Sequence, residues 1–247
     1  MRRDFLADLH VHTVLSPCAE IEMLPPLLIQ TAVEKDIQII AVTDHNATGN
    51  IAAVQHAAEN TDIHVIPGME LQTREEVHVL CLFDTLKQAN ELQKVVDHLL
   101  PPMDNDPDHF GIQLIVDDQG EVITTEDRLL LTSVDISFSE AFNLVNNLGG
   151  MFIPAHVNRK AYGLIEVLGF VPVDVDIEVL EISRHFKPGE ALREFPQLIG
   201  YPLIQNGDVH RLDEFLGVNH FHIAGPKINE IRLAIQGQAG RSMSILA

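Results

Sequence analysis

Short apolar runs recur along this chain, and run after run stops at a histidine or an acid. Residues 5–12, 38–43, 64–67, 77–83, 151–155, 177–183, 203–206 and 220–224 read as strands. Between them, residues 25–36, 49–60, 86–100, 138–148, 188–195 and 228–236 carry helical patterning, the first opened by Pro25-Pro26. Strands alternating with helices point to a parallel α/β sheet or barrel. A chain of 247 residues suits a single barrel domain over 1–247. Residues 101–132 break the alternation. There, 112–116 and 121–124 flank Asp117-Asp118-Gln119-Gly120, which reads as a small β-hairpin insertion on the barrel. The tail after Gly237 is expected to be loosely held.

Apolar residues make up 46%, enough for one sizeable core and too many for a disordered chain. Lys and Arg number 16 against 36 Asp and Glu, a net charge of −20. Such an acidic surface disfavours duplex nucleic acid and anionic membranes as partners. No apolar run approaches a membrane span, and Met1-Arg2-Arg3-Asp4-Phe5 lacks the apolar stretch of a signal peptide. Cys18 and Cys81 make no disulfide framework, so a reducing cytoplasm is the expected location. The thirteen histidines stand out in a chain with 2 Tyr and no Trp.

Asp8-Leu9-His10-Val11-His12-Thr13 is the strongest local signal. On a strand, residues i and i+2 face the same way, so His10 and His12 present two imidazoles to one site. The same spacing in His220-Phe221-His222 has no acidic company, and those two histidines are read as structural, as are His56, His64, His98 and His109. Further groups follow other strands: Thr43-Asp44-His45-Asn46, Pro67-Gly68-Met69-Glu70, His78 eight residues past Glu70, Pro154-Ala155-His156, and Gly207-Asp208-Val209-His210. In a parallel barrel these strand ends share one face, where active sites are built.

Taken in order, these motifs resemble those of the PHP (polymerase and histidinol phosphatase) domain, from residue 8 to about 210. The resemblance implies a distorted seven-stranded (β/α) TIM-like barrel. It also implies two or three divalent ions (Zn, Mn or Fe) and hydrolysis of phosphate esters. Carried over by residue, His10, His12, Glu70 and Asp208 form one metal site. Glu70, His78 and His156 form a second, bridged by Glu70, and His45 and His210 are part of a third. The chain departs from the pattern where many relatives have Ser-Asp-Gly, for it has Ser16-Pro17-Cys18. Glu20 is the preferred replacement ligand, as an oxygen donor; Cys18 is the runner-up and Glu22 the third choice. The alternative for Glu20 and Glu22 is that they complement the dipole of the coming helix.

Asn158-Arg159-Lys160, just past His156, offers a phosphate grip, with Arg159 favoured over Arg184 and Lys160. Asp208, His210 and Arg159 are thus the candidate catalytic residues. Asp8 and Asp44 are candidate partners for the imidazoles, or caps. The expected activity is metal-dependent hydrolysis of a small phosphorylated metabolite or nucleotide. The alternatives are nuclease-type action on nucleic-acid ends and a catalytically weak regulatory module.

Overall fold

The computed structural model describes residues 1–246. Its main sheet has seven strands in the order β11-β10-β1-β2-β3-β4-β7. These are β1 (Arg3–Val11), β2 (Ile39–Val42), β3 (His64–Gln72), β4 (His78–Leu82), β7 (Met151–Pro154), β10 (Asn219–Ile223) and β11 (Ser242–Ile245). The outer helices are α1 (Pro25–Glu34), α2 (Ile51–Ala57), α3 (Leu86–Leu99) and α5 (Phe138–Asn147). The α/β class expected from the alternation is present, but the sheet is mixed rather than parallel. β1, β2 and β3 run parallel, β4 runs antiparallel to both β3 and β7, and β10 runs antiparallel to β1. The reason is chain length: only 73–77 separate β3 from β4, and a parallel crossover needs about a dozen residues or more.

Side chains divide between two cores. Phe5, Ala7, Leu9, Ile39, Ala41, Leu80, Ile153 and Ile204 fill the inside of the curled sheet, and α8 (Ile228–Ile235) plugs it with Ile228, Ile231 and Ala234. Residues of opposite parity, such as Ile40, Val42 and Cys81, meet the outer helices, and Val11 joins them past a register shift in β1. This is the period-2 alternation of strands buried on both faces.

A separate parallel two-stranded ribbon, β8 (Leu180–Ile182) and β9 (Leu203–Gln205), lies beside the end of β1 and the loop after β7. The predicted strand at 177–183 is thus shorter than expected. The ribbon is fastened largely by side chains. Asn206 Oδ1 accepts from Leu9 N at 2.8 Å and Asn219 Oδ1 from Gln205 N at 3.0 Å, while Asn158 Oδ1 accepts from Ser183 N at 2.8 Å. Among the described residues its backbone contact with the main sheet's strand ends is one bond from Val157 N to Glu181 O and two around a Val11–Val209 bridge, His12 N to Val209 O and Val209 N to His10 O.

Within 101–132, α4 (Pro107–Phe110) precedes an antiparallel pair, β5 (Leu114–Val116) and β6 (Val122–Thr125). It sits on the barrel through Asn50, which donates to Leu114 O and accepts from Val116 N. The chain end is not loose: β11 pairs with β10 from Asn219↔Ile245 to His222↔Ser242. Its Ser-Met-Ser-Ile alternation suits a strand with one face on the core. Two short helices, α6 (Leu164–Leu168) and α7 (Pro188–Glu194), complete the loops after β7 and β8. Among the described residues, no helix is long and apolar enough to cross a membrane.

Candidate metal centre

The strand ends that share one side of the sheet open into a cavity of about 620 Å³. His10 and His12 lie at the end of β1 and point the same way. His45 follows β2, and Glu70 lies inside β3 rather than after it. His78 reaches the same place from the opposite direction. It is the first residue of antiparallel β4, paired with Gln72, so a strand start here lies beside the other strands' ends.

Glu70 is the hub and is fully buried. Its Oε1 lies 2.8 Å from His78 Nδ1, 3.1 Å from His156 Nε2 and 3.3 Å from His10 Nε2. Its Oε2 lies 2.9 Å from His45 Nδ1 and 3.3 Å from His12 Nε2, yet makes no hydrogen bond. Asp208 Oδ1 faces His10 Nε2 at 3.3 Å and His12 Nε2 at 3.6 Å. Three groups have ligand atoms mutually within 4.8 Å: His10, His12, Glu70 and Asp208; His45, Glu70 and His78; and His12, His45 and His210. His156 sits on the hub carboxylate without joining any of the three, and its Nδ1 is buried without a partner.

The proton positions follow from the outer partners. Glu181 accepts from His10 Nδ1 at 3.1 Å. Ser16 Oγ gives its proton to Asp44 Oδ1 at 2.7 Å and therefore accepts from His12 Nδ1 at 2.8 Å. Gln72 Oε1 faces His78 Nε2 at 3.3 Å, its amide nitrogen being turned to Ser133. Asp208 O accepts from His210 Nδ1 at 2.9 Å. In its neutral form each of these four imidazoles carries its hydrogen outward and turns a bare nitrogen inward. His10 Nε2 and His12 Nε2 face one another at 3.1 Å. Converging imidazole and carboxylate lone pairs are the donor set of a first-row divalent ion, so the residues fit such ions.

The carboxylates set up a field that favours positive charge at the centre, whether a proton or a metal ion. Burial opposes charge on His10, but Glu181, Glu70 and Asp208 raise its proton affinity well above the ordinary imidazole's. Burial opposes charge on Glu70 too, and His78, His10 and His45 outweigh it, holding the carboxyl well below its usual range. His78, by burial, falls to about 4, and His210, by burial and the neighbouring His12, to about 3.

The loops are fixed from behind. Asp8 is pushed up to about 6 by burial and accepts from the backbone N–H groups of Gly207 and Leu216, anchoring the loop that carries Asp208. Asp44 accepts from Thr13 N, Thr13 Oγ1 and Ser16 Oγ, so it reaches His12 only through Ser16. His156 and Asp208 adopt φ of 30° and 48°, conformations costly for side-chain-bearing residues and common at functional sites.

Arg159 Nη1 lies 2.8 Å from Asp208 Oδ2, half exposed at the cavity wall. Arg184 also lines the cavity, held by Gly207 O and Glu214. Lys160 is exposed and away from it. Glu20, expected to complete the third group, does not line the cavity. Its N–H is tied to His210 O, and its half-exposed carboxylate turns out to Arg211 at 3.1 Å. Glu22 is exposed and does not line the cavity either, whereas Cys18 does. His220 and His222 face outward on β10 and pair with Asp4. Glu181 was missed by the sequence reading. Its signal was a single acid inside the apolar run Val179-Leu180-Glu181-Ile182.

A family model described as "PHP domain" matches residues 8–144. A stretch of 80 residues, 30% of this chain, is 32% identical to the 5'-3' exoribonuclease Rnm of Escherichia coli. The stretch covers 26% of that enzyme, and a 25% identical match covers 36% of an uncharacterized Streptococcus pneumoniae protein. Among solved structures, the lesion-specific endonuclease Q of Pyrococcus furiosus aligns with 98% of this chain and 58% of its own (TM-score 0.68, 19% identity). A two-domain Bacteroides vulgatus protein containing a predicted PHP-like metal-dependent phosphoesterase aligns with 99% of this chain and 66% of its own (TM-score 0.57, 12% identity). At these identities the structural likenesses establish the fold.

Proposed function

This chain belongs to the PHP domain family, and from that premise we propose that it is a metal-dependent phosphoesterase. The observation that carries the reading is the inward ring of bare imidazole nitrogens around Glu70 and Asp208, each locked by an acceptor behind it. Divalent ions held there would lower the pKa of a water for attack on the phosphorus and neutralise charge on the phosphoryl oxygens. His10, His12, Glu70 and Asp208 would hold one ion, and Glu70, His78 and His156 a second. His45 and His210 would contribute to a third.

The other roles belong to the chain itself. Asp208 turns Oδ1 to the imidazoles and Oδ2 to Arg159, so the ion pair fixes the plane of the carboxylate. Arg159 keeps further N–H groups free to grip a phosphoryl oxygen at the cavity mouth. The local field, with ions bound, attracts phosphate despite the net charge of −20.

A small phosphorylated metabolite or nucleotide fits a cavity of about 620 Å³. A nucleic-acid end is the second reading. Arg159, Arg184 and Arg211 stand around an open mouth with Phe110 and Tyr162, where a backbone and a base could rest. Endonuclease Q has been solved with a 27-mer duplex carrying an abasic lesion. The test is a panel of aryl phosphate, nucleotides and 5'-labelled oligonucleotides, with added manganese and after chelation. Hydrolysis that stops on chelation and falls by orders of magnitude in Asp208→Ala and His156→Ala supports the mechanism. Activity surviving either treatment refutes it. The oligonucleotide arm separates the two substrate classes.

A further inference from the structure

The segment after β1 is pinned at both ends to the metal centre. Ser16 Oγ bonds Asp44 and His12, and two residues past Cys18 the Glu20 N–H bonds His210 O at 2.9 Å. Pro17 between them is buried, with Gly111 packed so closely on its carbonyl that a Cβ there would lie 2.1 Å from the oxygen. Cys18 is therefore held in a fixed turn, and its side chain joins His45 and His210 in the cavity wall. The neighbouring His12, His45 and His210 offer three nitrogens mutually within 4.8 Å. Glu70 Oε2, buried and without a hydrogen bond, is aimed at His12 and His45 from below. Among the described residues this group of ligand atoms includes no acid, and the Glu20 carboxylate is engaged by Arg211.

We propose that the Cys18 thiolate is the outer ligand of an ion bound by His45 and His210, making that position selective for thiophilic ions such as zinc and cobalt. The inference rests on the metal-dependent reading above and adds the identity of one donor. A thiolate keeps the single negative charge that a carboxylate would bring, but it is a softer donor that favours zinc over manganese or magnesium. Binding displaces the thiol proton to solvent as the sulfur–metal bond forms, so it is linked to pH. Cys81 lies buried in β4 within the outer core and cannot serve.

The test uses the full chain, stripped by chelator and titrated with cobalt(II). The wild type should develop a near-ultraviolet sulfur-to-cobalt charge-transfer band together with the visible ligand-field bands. Cys18→Ser and Cys18→Ala should lose the near-ultraviolet band and bind one ion fewer per chain. Glu20→Gln should keep both. In parallel, iodoacetamide should alkylate one thiol in the stripped protein, and zinc should protect it. Visible bands without a charge-transfer band in the wild type would overturn the thiolate ligand while leaving the two-ion centre standing. Alkylation unaffected by saturating zinc would do the same. Failure to bind any cobalt would overturn both readings, and that outcome is distinct from the other two.

Discussion

Glu181 is the best single point at which to test how this centre is held. Its two oxygens serve three buried donors: His10 Nδ1 at 3.1 and 3.2 Å, His156 N at 2.8 Å and Asn206 Nδ2 at 2.8 Å. Glu181→Gln preserves the shape and leaves one acceptor where there were two. If the amide oxygen keeps Asn206 and His10, the NH2 faces the His156 N–H; flipped, it faces the other two. At least one buried donor is left without an acceptor in either case, at a cost of about 1–3 kcal/mol. Imposed on the metal-bound form, that cost is roughly a 5- to 150-fold loss of affinity. The range overlaps the roughly 10- to 100-fold typical of residues that orient a metal-bound imidazole. The assay is metal competition against a chromophoric chelator, with turnover measured at limiting and at saturating metal. Weakened affinity with turnover largely restored at saturation is the expected pattern. Wild-type affinity together with a lower melting point would show that Glu181 only fastens the ribbon to the barrel, and the orienting role would be wrong.

Ser16→Ala removes the acceptor behind His12 Nδ1 and should cost metal affinity by roughly tenfold, read in the same competition assay. Gly207→Ala places a Cβ 2.5 Å from Glu214 O and 3.0 Å from Asp8 Oδ2, so the Asp208 loop must shift. We expect about 1–3 kcal/mol of destabilisation by denaturant melts, with turnover falling further than stability. Added metal should raise the melting temperature of the chelated protein, by about 2.7 kcal/mol of stability at a hundredfold excess over Kd; an unchanged melt would count against a native metal centre. Deleting residues 238–247 uncovers the edge of β10, and lower stability with concentration-dependent aggregation is the outcome to look for.

Much of the centre was legible because strand chemistry is periodic. His10-x-His12 on a strand must present both rings to one side, and residues at strand ends meet wherever the strands are aligned. Strand direction was harder to read. An apolar run such as 78–82 looks the same in either direction, and the hint lay instead in the five residues 73–77, a hairpin length. Parallel reading would still have brought Glu70 and His156 together, but it gives no reason for His78 to join them. Irregular segments were the least legible. Nothing in Ser16-Pro17-Cys18-Ala19-Glu20 states which side chain turns inward, because that is fixed by bonds to Asp44 and to His210 O from distant parts of the chain. Glu181 was overlooked for a related reason: a buried acid is costly alone, and the three donors that compensate it come from β1 and from the loops after β7 and β9.

The ribbon beside the curled sheet has a mechanical consequence. Neighbouring strands elsewhere share a ladder of backbone bonds, but β8 and β9 are stitched in by Asn158, Asn206, Asn219 and Glu181. One of those stitches, Glu181, also holds an imidazole of the centre, and Asp208 leaves the ribbon two residues after another, Asn206. Ion occupancy and the seating of the ribbon would therefore be tied by the same few side chains. Extracting the ions should slacken this seam first, so that amides of 180–182 and 203–209 exchange with deuterium faster while those of β1 to β3 hold. Opening the seam, in turn, offers the ions a way out that leaves the rest of the barrel folded.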